Sequence, residues 1–135
     1  MQWTPSALAS ALRNSADLNI SIENNESSFV ITMHDHGDLK INVLLTSRQI
    51  ILETFICPLD SIQDQATFNL FLLRNQKLLP LSSVGICRLQ QQEYYIAFGA
   101  LSLGSSLEDI VLELTTLVEN ALDIAEITQE YMQAQ

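Results

Sequence analysis

Residues 29–45 read FVITMHDHGDLKINVLL, and this stretch predicts a β-hairpin. Apolar side chains recur at every second position on both sides of the polar segment 34–38, at Phe29, Ile31 and Met33 before it and at Leu39, Ile41, Val43 and Leu45 after it. A two-residue repeat places these side chains on one face of a strand. The segment HDHGD between them predicts a tight turn with Gly37 at positive φ. The two strands are therefore antiparallel neighbours.

The same pattern continues on both sides of this hairpin. Residues 18–22 (LNISI) alternate apolar and polar side chains and predict a preceding strand. Residues 50–56 (IILETFI) predict a following strand that is apolar on both faces apart from Glu53 and Thr54. Such a strand is either central in its sheet or covered on both faces. Short turns between the four strands predict an antiparallel meander.

Helical patterns precede and follow the meander. Thr4 followed by Pro5 predicts the N-cap and first residue of a short helix ending near Ser15. Asp60 and Gln63 predict a capping box for a second helix that runs to about residue 78. Its apolar residues are so numerous that burial over most of its circumference is expected: Ile62, Ala66, Phe68, Leu70, Phe71, Leu72 and Leu73.

Two further strands, at residues 84–89 and 93–101, lead into a long last helix. Ser105 and Glu108 predict its capping box, and its apolar side chains recur at three- and four-residue steps as far as Ala125. The predicted order is α-β-β-β-β-α-β-β-α. This order predicts one α+β domain over residues 1–135, with helices packed on an antiparallel-rich sheet of about six strands.

The composition limits the classes of partner. The chain has 135 residues, 47% of them hydrophobic, which suffices for one core. Its formal net charge of −10 disfavours nucleic acids and anionic membrane surfaces. The N-terminal residues lack the features of a signal peptide, and no segment approaches the ~18 apolar residues of a membrane span. Cys57 and Cys87 lie in apolar strand-like segments, which predicts reduced, buried thiols and a cytoplasmic location.

Three segments resemble catalytic or metal-binding motifs, and each has a simpler interpretation. His34-Asp35-His36-Gly37-Asp38 matches the beginning of a zinc signature, but these are the two histidines of the whole chain, so turn chemistry is preferred. Cys57 and Cys87 lack a C-x-x-C spacing, so core packing is preferred. Residues 99–104 fail the nucleophile-elbow pattern by one glycine. We therefore expect no catalytic residue, cofactor or metal, and no enzymatic activity.

The last helix carries seven acidic residues and no basic one between residues 106 and 135: Glu108, Asp109, Glu113, Glu119, Asp123, Glu126 and Glu130. The simplest interpretation is a solvated outer face. Ile124, Ile127 and Tyr131 extend the apolar side of this helix beyond what one sheet needs. Apolar surface flanked by charge of one sign is typical of a docking face. We therefore predict a protein-binding surface formed by Glu119, Asp123, Ile124, Glu126, Ile127 and Tyr131, which could equally close a homodimer.

A family resemblance is carried by the second half of the chain. The stretches LRNQKLLPLSSVGI (residues 73–86) and YYIAFGALS (residues 94–102) resemble the YjfI-like family of bacterial proteins, with the match running from about residue 50 to 122. The family offers no catalytic residues to carry over. Its genomic context implies a link to relatives of phage shock protein A and to membrane stress. At the level of element order, the chain is also similar to type III secretion chaperones and YbjN-like proteins, which bind other chains.

These observations favour a non-catalytic adaptor or chaperone-like protein whose partner is another protein. The alternative is a small-molecule sensor or enzyme with a pocket between the sheet and the helices. Its polar groups would come from Arg74, Lys77, Ser82, Ser83 and Tyr95, the most motif-like part of the chain. A simpler role for Arg74 and Lys77 is to complement a helix dipole. A simpler role for Ser82 and Ser83 is to form a turn after Pro80.

Overall fold

The computed structural model describes residues 2–132; Met1 and residues 133–135 of the predicted domain lie outside the described residues. Three helices and six strands follow one another as α1 (Pro5–Arg13), β1 (Ile20–Asn24), β2 (Ser28–Met33), β3 (Leu39–Leu45), β4 (Gln49–Pro58), α2 (Gln65–Asn75), β5 (Ser83–Leu89), β6 (Gln92–Ser102) and α3 (Leu107–Gln129). Short 3₁₀ turns lie at His34–His36, Leu59–Ser61 and Gln76–Leu78. The α+β class and the predicted order of elements are confirmed.

The strands form one antiparallel sheet with the spatial order β1-β2-β3-β4-β6-β5. The first four are neighbours because short turns connect them, whereas β6 lies between β4 and β5 because the chain passes through α2 before the last hairpin. β4 is a central strand, as predicted: Leu52 pairs with Val43 of β3 on one side and with Gly99 of β6 on the other.

All three helices pack on the same face of this sheet. Leu12 of α1 and Leu117 of α3 belong to one buried cluster with the strands, and Ala97 of β6 is part of it. α2 places Phe68 against Tyr95 of β6 with ring centroids 5.0 Å apart. Tyr95 and Ala97 are two residues apart and therefore lie on the same face of β6. Among residues 2–132 no helix packs on the opposite face, so β4 is central but covered on one side.

Two of the three helix caps differ from the sequence prediction. Thr4 caps α1 as predicted, its Oγ1 accepting a hydrogen bond from the Ala7 N–H at 3.2 Å. Ser106, and not Ser105, caps α3 by accepting from the Asp109 N–H at 3.1 Å. The predicted cap was wrong by one residue. The Ser105 N–H donates to the carbonyl of Ser102, the last residue of β6, so Ser105 still belongs to the turn before the helix.

The second helix also begins later than Asp60 and Gln63 predicted. The chain first makes the 3₁₀ turn at Leu59–Ser61, and α2 then starts behind Asp64. The Asp64 carboxylate accepts from the N–H of Thr67 at 3.2 Å and from its hydroxyl at 2.7 Å, which supplies the cap. These hydrogen bonds also lower the pKa of the Asp64 carboxyl.

The prediction that α2 is buried over most of its circumference is wrong. Phe68 is its one buried residue, whereas Leu70 and Leu73 are exposed, Leu73 to 68%. α2 lies over the β6 and β5 side of the sheet, and no second layer covers its outer surface within the described residues. Its surplus apolar side chains are therefore available for contact, and they border the candidate functional site.

Candidate functional site

An open groove separates α2 and the following 3₁₀ turn from the second half of α3. It encloses about 220 Å³ and is lined by Phe71, Leu72, Asn75, Leu78, Leu79, Val84, Ile124 and Ile127. Asn75 is the polar member, and its Nδ2 donates to the Phe71 carbonyl at 2.7 Å. The lining is therefore almost wholly apolar. We call this feature the α2–α3 groove.

The predicted docking residues of α3 occupy three different environments. Ile124 is 5% exposed and belongs to the main core, so it contributes to the wall of the groove and not to its rim. Tyr131 is half-buried and stacks on α2, with ring centroids 4.8 Å from Phe68 and 5.7 Å from Phe71. Ile127 is 40% exposed and lines the groove. The prediction that these side chains extend beyond what the fold covers is wrong for Ile124, which is buried in the core, whereas Tyr131 is only partly covered by α2.

The acidic side chains of α3 form a stripe beside the groove. Glu119, Asp123, Glu126 and Glu130 are exposed. Asp123 precedes Ile127 by four residues and Glu130 follows it by three, so both lie one helical turn from the exposed apolar side chain. We call these four acids the acidic bank. The acidic bank brings together three of the predicted docking residues, Glu119, Asp123 and Glu126. It identifies neither a partner nor a function.

Basic side chains lie on the other side of the groove. Arg74 is one helical turn from Phe71, and Lys77 immediately precedes Leu78, which is 72% exposed. Both basic residues are exposed. Neither makes a salt bridge within 4 Å to any charged side chain in residues 2–132. We call this pair the basic bank. None of the six charged side chains lines the apolar groove itself, but their spacing from its lining residues places charges of opposite sign along its two rims.

The loop after the basic bank displays a strained leucine. Leu81 has φ +63° and is 55% exposed. A non-glycine residue in this left-handed region costs about 1 kcal/mol. The buried Asn120 of α3 holds the loop there, its Nδ2 donating to the Pro80 carbonyl and to the Ser82 hydroxyl, both at 2.9 Å. Sequence reasoning predicted a turn here but missed Asn120, whose position 40 residues along the chain gives no local signal.

A second groove lies on the opposite side of α2 and encloses about 260 Å³. Its lining includes Tyr95, whose hydroxyl donates to Oδ1 of Asn69. The polar residues of the alternative, small-molecule interpretation do not converge on this groove. Ser82 is buried against Asn120, and Arg74 is exposed to solvent. The structure therefore does not bring these side chains together into one site.

One acid of α3 is not part of a solvated face. Glu113 is 6% exposed and lies against Gly99 of β6, where a Cβ atom would collide with its carboxylate. Its Oε2 has no hydrogen-bond partner among the described residues. Burial raises the pKa of the Glu113 carboxyl. The interpretation of all seven acids as a solvated face is therefore wrong at this position, because Gly99 makes room for the side chain inside.

The two cysteines are free and lie on opposite faces of the sheet. Cys57 packs with Phe68 and Tyr95 as predicted, whereas Cys87 is half-exposed on the face without helices, so its predicted burial is wrong. Burial raises the pKa of both thiols, and for Cys87 the nearby Glu53 carboxylate raises it further. Burial also raises the pKa of the Glu53 carboxyl. No disulfide or reactive thiolate pair is formed by these residues.

The histidine segment makes turn contacts, as preferred from the sequence. His34 Nδ1 lies 2.8 Å from Asp38 Oδ1, and its Nε2 lies 2.6 Å from the Ser21 hydroxyl. Gly37 has φ +67°, which confirms the predicted turn geometry. Within residues 2–132, His, Cys, Asp and Glu side chains form no group of three or more that could hold a metal ion.

No helix among residues 2–132 combines the length and the apolar character that crossing a bilayer would require.

Comparison with known proteins identifies relatives along nearly the whole chain. A family model described as "Uncharacterized protein conserved in bacteria (DUF2170)" matches residues 2–132. "Uncharacterized protein YjfI" of Escherichia coli strain K12 is 63% identical over 131 residues, covering 97% of this chain and 98% of the relative. The protein of the same name from Escherichia coli O157:H7 gives the same values. The YjfI-like resemblance is confirmed and extends into the first fifty residues.

Proposed function

The chain belongs to the bacterial DUF2170 family, and we propose that it is a non-catalytic module that binds another protein chain at the α2–α3 groove. The observation that carries this proposal is the exposed apolar rim of the groove. Leu78 and Ile127 line the groove and are 72% and 40% exposed. Scattered surface leucines are common, but a contiguous apolar surface with a charged rim is typical of a protein contact.

Covering the exposed apolar side chains of the groove supplies part of the free energy of binding. Fully burying a leucine side chain contributes about 1.5–3 kcal/mol relative to leaving it exposed. Leu78 is 72% and Ile127 40% exposed, so covering the two would contribute on the order of 2–3 kcal/mol, and further contacts must supply the rest of the binding free energy. Leu81, three residues after Leu78, is 55% exposed, and Asn120 holds the loop around it through Pro80 and Ser82. A loop that is already held in place loses less conformational entropy when a partner binds.

The groove supports protein binding better than binding of a polar small molecule. Its one polar lining residue, Asn75, already donates within α2. In the second groove the Tyr95 hydroxyl and the Gln76 amide are likewise committed, the latter to both backbone groups of Val84. A small-molecule site needs a few free polar groups to orient its ligand. An extended apolar contact with another protein chain does not require free polar groups.

Two finer expectations accompany this proposal. We place the module in the cytoplasm because both cysteines are free thiols in a fold that has no need of a disulfide. The genomic context implied by the resemblance makes a relative of phage shock protein A the first partner to assay. A chaperone-like role would use the same groove to cover apolar segments of that partner.

The test is capture of proteins from a bacterial lysate on the immobilised chain. Leu78→Asp places a charge at the groove, and Leu112→Asp makes the same change at an exposed leucine of α3 that does not line it. We expect the first substitution to abolish capture and the second to leave it unchanged. Retention of the same proteins by Leu78→Asp would contradict docking at the groove. Binding of purified phage-shock-protein-A relative, measured by calorimetry, tests the specific partner.

A further inference from the structure

The two rims of the α2–α3 groove carry opposite charge, and this arrangement fits one kind of occupant. We propose that the groove is occupied by a second copy of this chain, related by a two-fold axis. The basic bank of each copy (Arg74, Lys77) then lies against the acidic bank of the other (Glu119, Asp123, Glu126, Glu130). This inference rests on the proposed function, because it names the chain that docks on the same surface.

Charge complementarity selects the second copy over other chains. A basic amphipathic segment would be attracted by the acidic bank and repelled by Arg74 and Lys77. An acidic segment would be attracted by the basic bank and repelled by the acidic bank. In a two-fold contact each surface meets its own image, so residues of one bank contact residues of the other bank twice. A surface with one rim of each sign is self-complementary in this arrangement. Opposite charges across an interface also fix its orientation.

The charges of both banks are available for such a contact. Of the six basic side chains in the sequence, two lie beside this groove. Neither Arg74 nor Lys77, and none of the four acids, makes a salt bridge within the part of the chain that the structure describes. All six side chains are exposed. Binding of a partner chain at these side chains would therefore break no salt bridge between the described residues.

The apolar side chains between the banks supply the centre of the interface. Leu78 is 72% exposed at the edge of the groove, and Ile127 is 40% exposed on the opposite wall. In a two-fold arrangement Leu78 of each copy contacts the groove of the other. Apolar side chains at the centre with charged residues around them are the usual anatomy of a dimer interface. The net charge of −10 on each copy opposes association, so this local pairing is required.

The decisive experiment is charge reversal followed by mixing. We expect the wild-type chain to show twice its 15.1 kDa mass in light scattering at 100 µM or below. One variant reverses the basic bank (Arg74→Glu with Lys77→Glu), and another reverses part of the acidic bank (Asp123→Lys with Glu130→Lys). Each variant alone should be monomeric, because like charges then meet at both of the symmetry-related contacts between banks. An equimolar mixture should form a heterodimer, because opposite charges again meet on both sides.

A matched control separates local pairing from net charge. Lys40→Glu with Arg48→Glu makes the same change in net charge at two exposed basic residues away from the groove, and this variant should remain dimeric. Recovery of the dimer in the mixture also shows that both reversed variants are folded. The inference is overturned by a wild-type monomer at 100 µM, by a mixture that stays monomeric, or by dissociation of the control.

The outcomes separate this inference from the proposed function. A wild-type monomer whose capture of other proteins is still abolished by Leu78→Asp would refute the second copy and leave the groove as a docking site. A monomer whose capture is unaffected by that substitution would refute both.

Discussion

Replacing Glu113 by glutamine should stabilise the protein at neutral pH. The carboxylate is 6% exposed, lies against Gly99, and leaves Oε2 without a partner among the described residues. An unsatisfied buried polar group costs about 1–3 kcal/mol, and a charged one costs more. Glutamine keeps the shape and removes the charge, but its amide also lacks partners, so part of the cost remains. We expect Glu113→Gln to raise the free energy of unfolding by about 1–2 kcal/mol at pH 7.5.

The sign of the pH dependence follows from the raised pKa of Glu113. Burial raises the pKa of this carboxyl in the folded state above its value in the unfolded chain. At neutral pH the group is ionised in the unfolded chain, and folding must either bury that charge or take up a proton. The penalty therefore disappears as the pH falls through the folded pKa and towards the unfolded one. The advantage of Glu113→Gln over wild type should be greater at pH 7.5 than at pH 4.5, the ordinary pKa of a glutamate carboxyl.

The assay is urea denaturation followed by fluorescence of Trp3. Its indole N–H donates to the Ser105 carbonyl at 2.8 Å, so its emission reports the docking of the N-terminus on the start of α3. Glu119→Gln is the matched control, because Glu119 is an exposed acid of the same helix and its substitution should change stability by less than about 0.5 kcal/mol. A Glu113→Gln variant that is less stable than wild type, or whose advantage is the same at both pH values, would refute the reasoning.

Three further local features can be tested by substitution and urea denaturation. Ser106→Ala should cost about 1 kcal/mol by removing the α3 cap, whereas Ser105→Ala should cost little, and equal effects would contradict the assigned cap. Asn120→Ala should cost about 2–3 kcal/mol, because both hydrogen bonds from this buried side chain to the loop are lost. A cost below about 0.5 kcal/mol would show that the loop is held otherwise. Leu81→Gly should be nearly neutral, because glycine adopts φ +63° without steric strain. Leu122→Gly, at an exposed position within α3, should cost about 1 kcal/mol. An equal cost at both positions would exclude strain at Leu81.

The strands were predictable because their signal is local. Phe29, Ile31 and Met33 are all buried in β2, as their two-residue spacing predicts, and the turn between β2 and β3 has Gly37 at positive φ. The helix starts were less predictable. Several Ser and Asp residues near each start can accept from an N–H three residues on, and only the preceding turn decides which one does, as at Asp64.

The candidate site was only partly predictable. The sequence places the acids and Ile127 on one helix, but it does not show that Ile124 is buried in the core or that Tyr131 is partly covered by α2. For Arg74 and Lys77 at the opposite rim, the sequence favours dipole complementation, because nothing in it places α2 beside α3.

The sequence by itself determined the class of fold, the order of its elements and the acidic character of α3, since each depends on spacing within a few residues. The tertiary structure decided which apolar side chains are covered. Leu73 and Phe68 look equivalent in the sequence, yet one is exposed and the other is buried beneath Tyr95. It also decided that Glu113 is buried while Glu119 is not, because Gly99 on a distant strand leaves space for one carboxylate. Coverage depends on contacts between residues far apart in the chain, and periodicity carries no information about them.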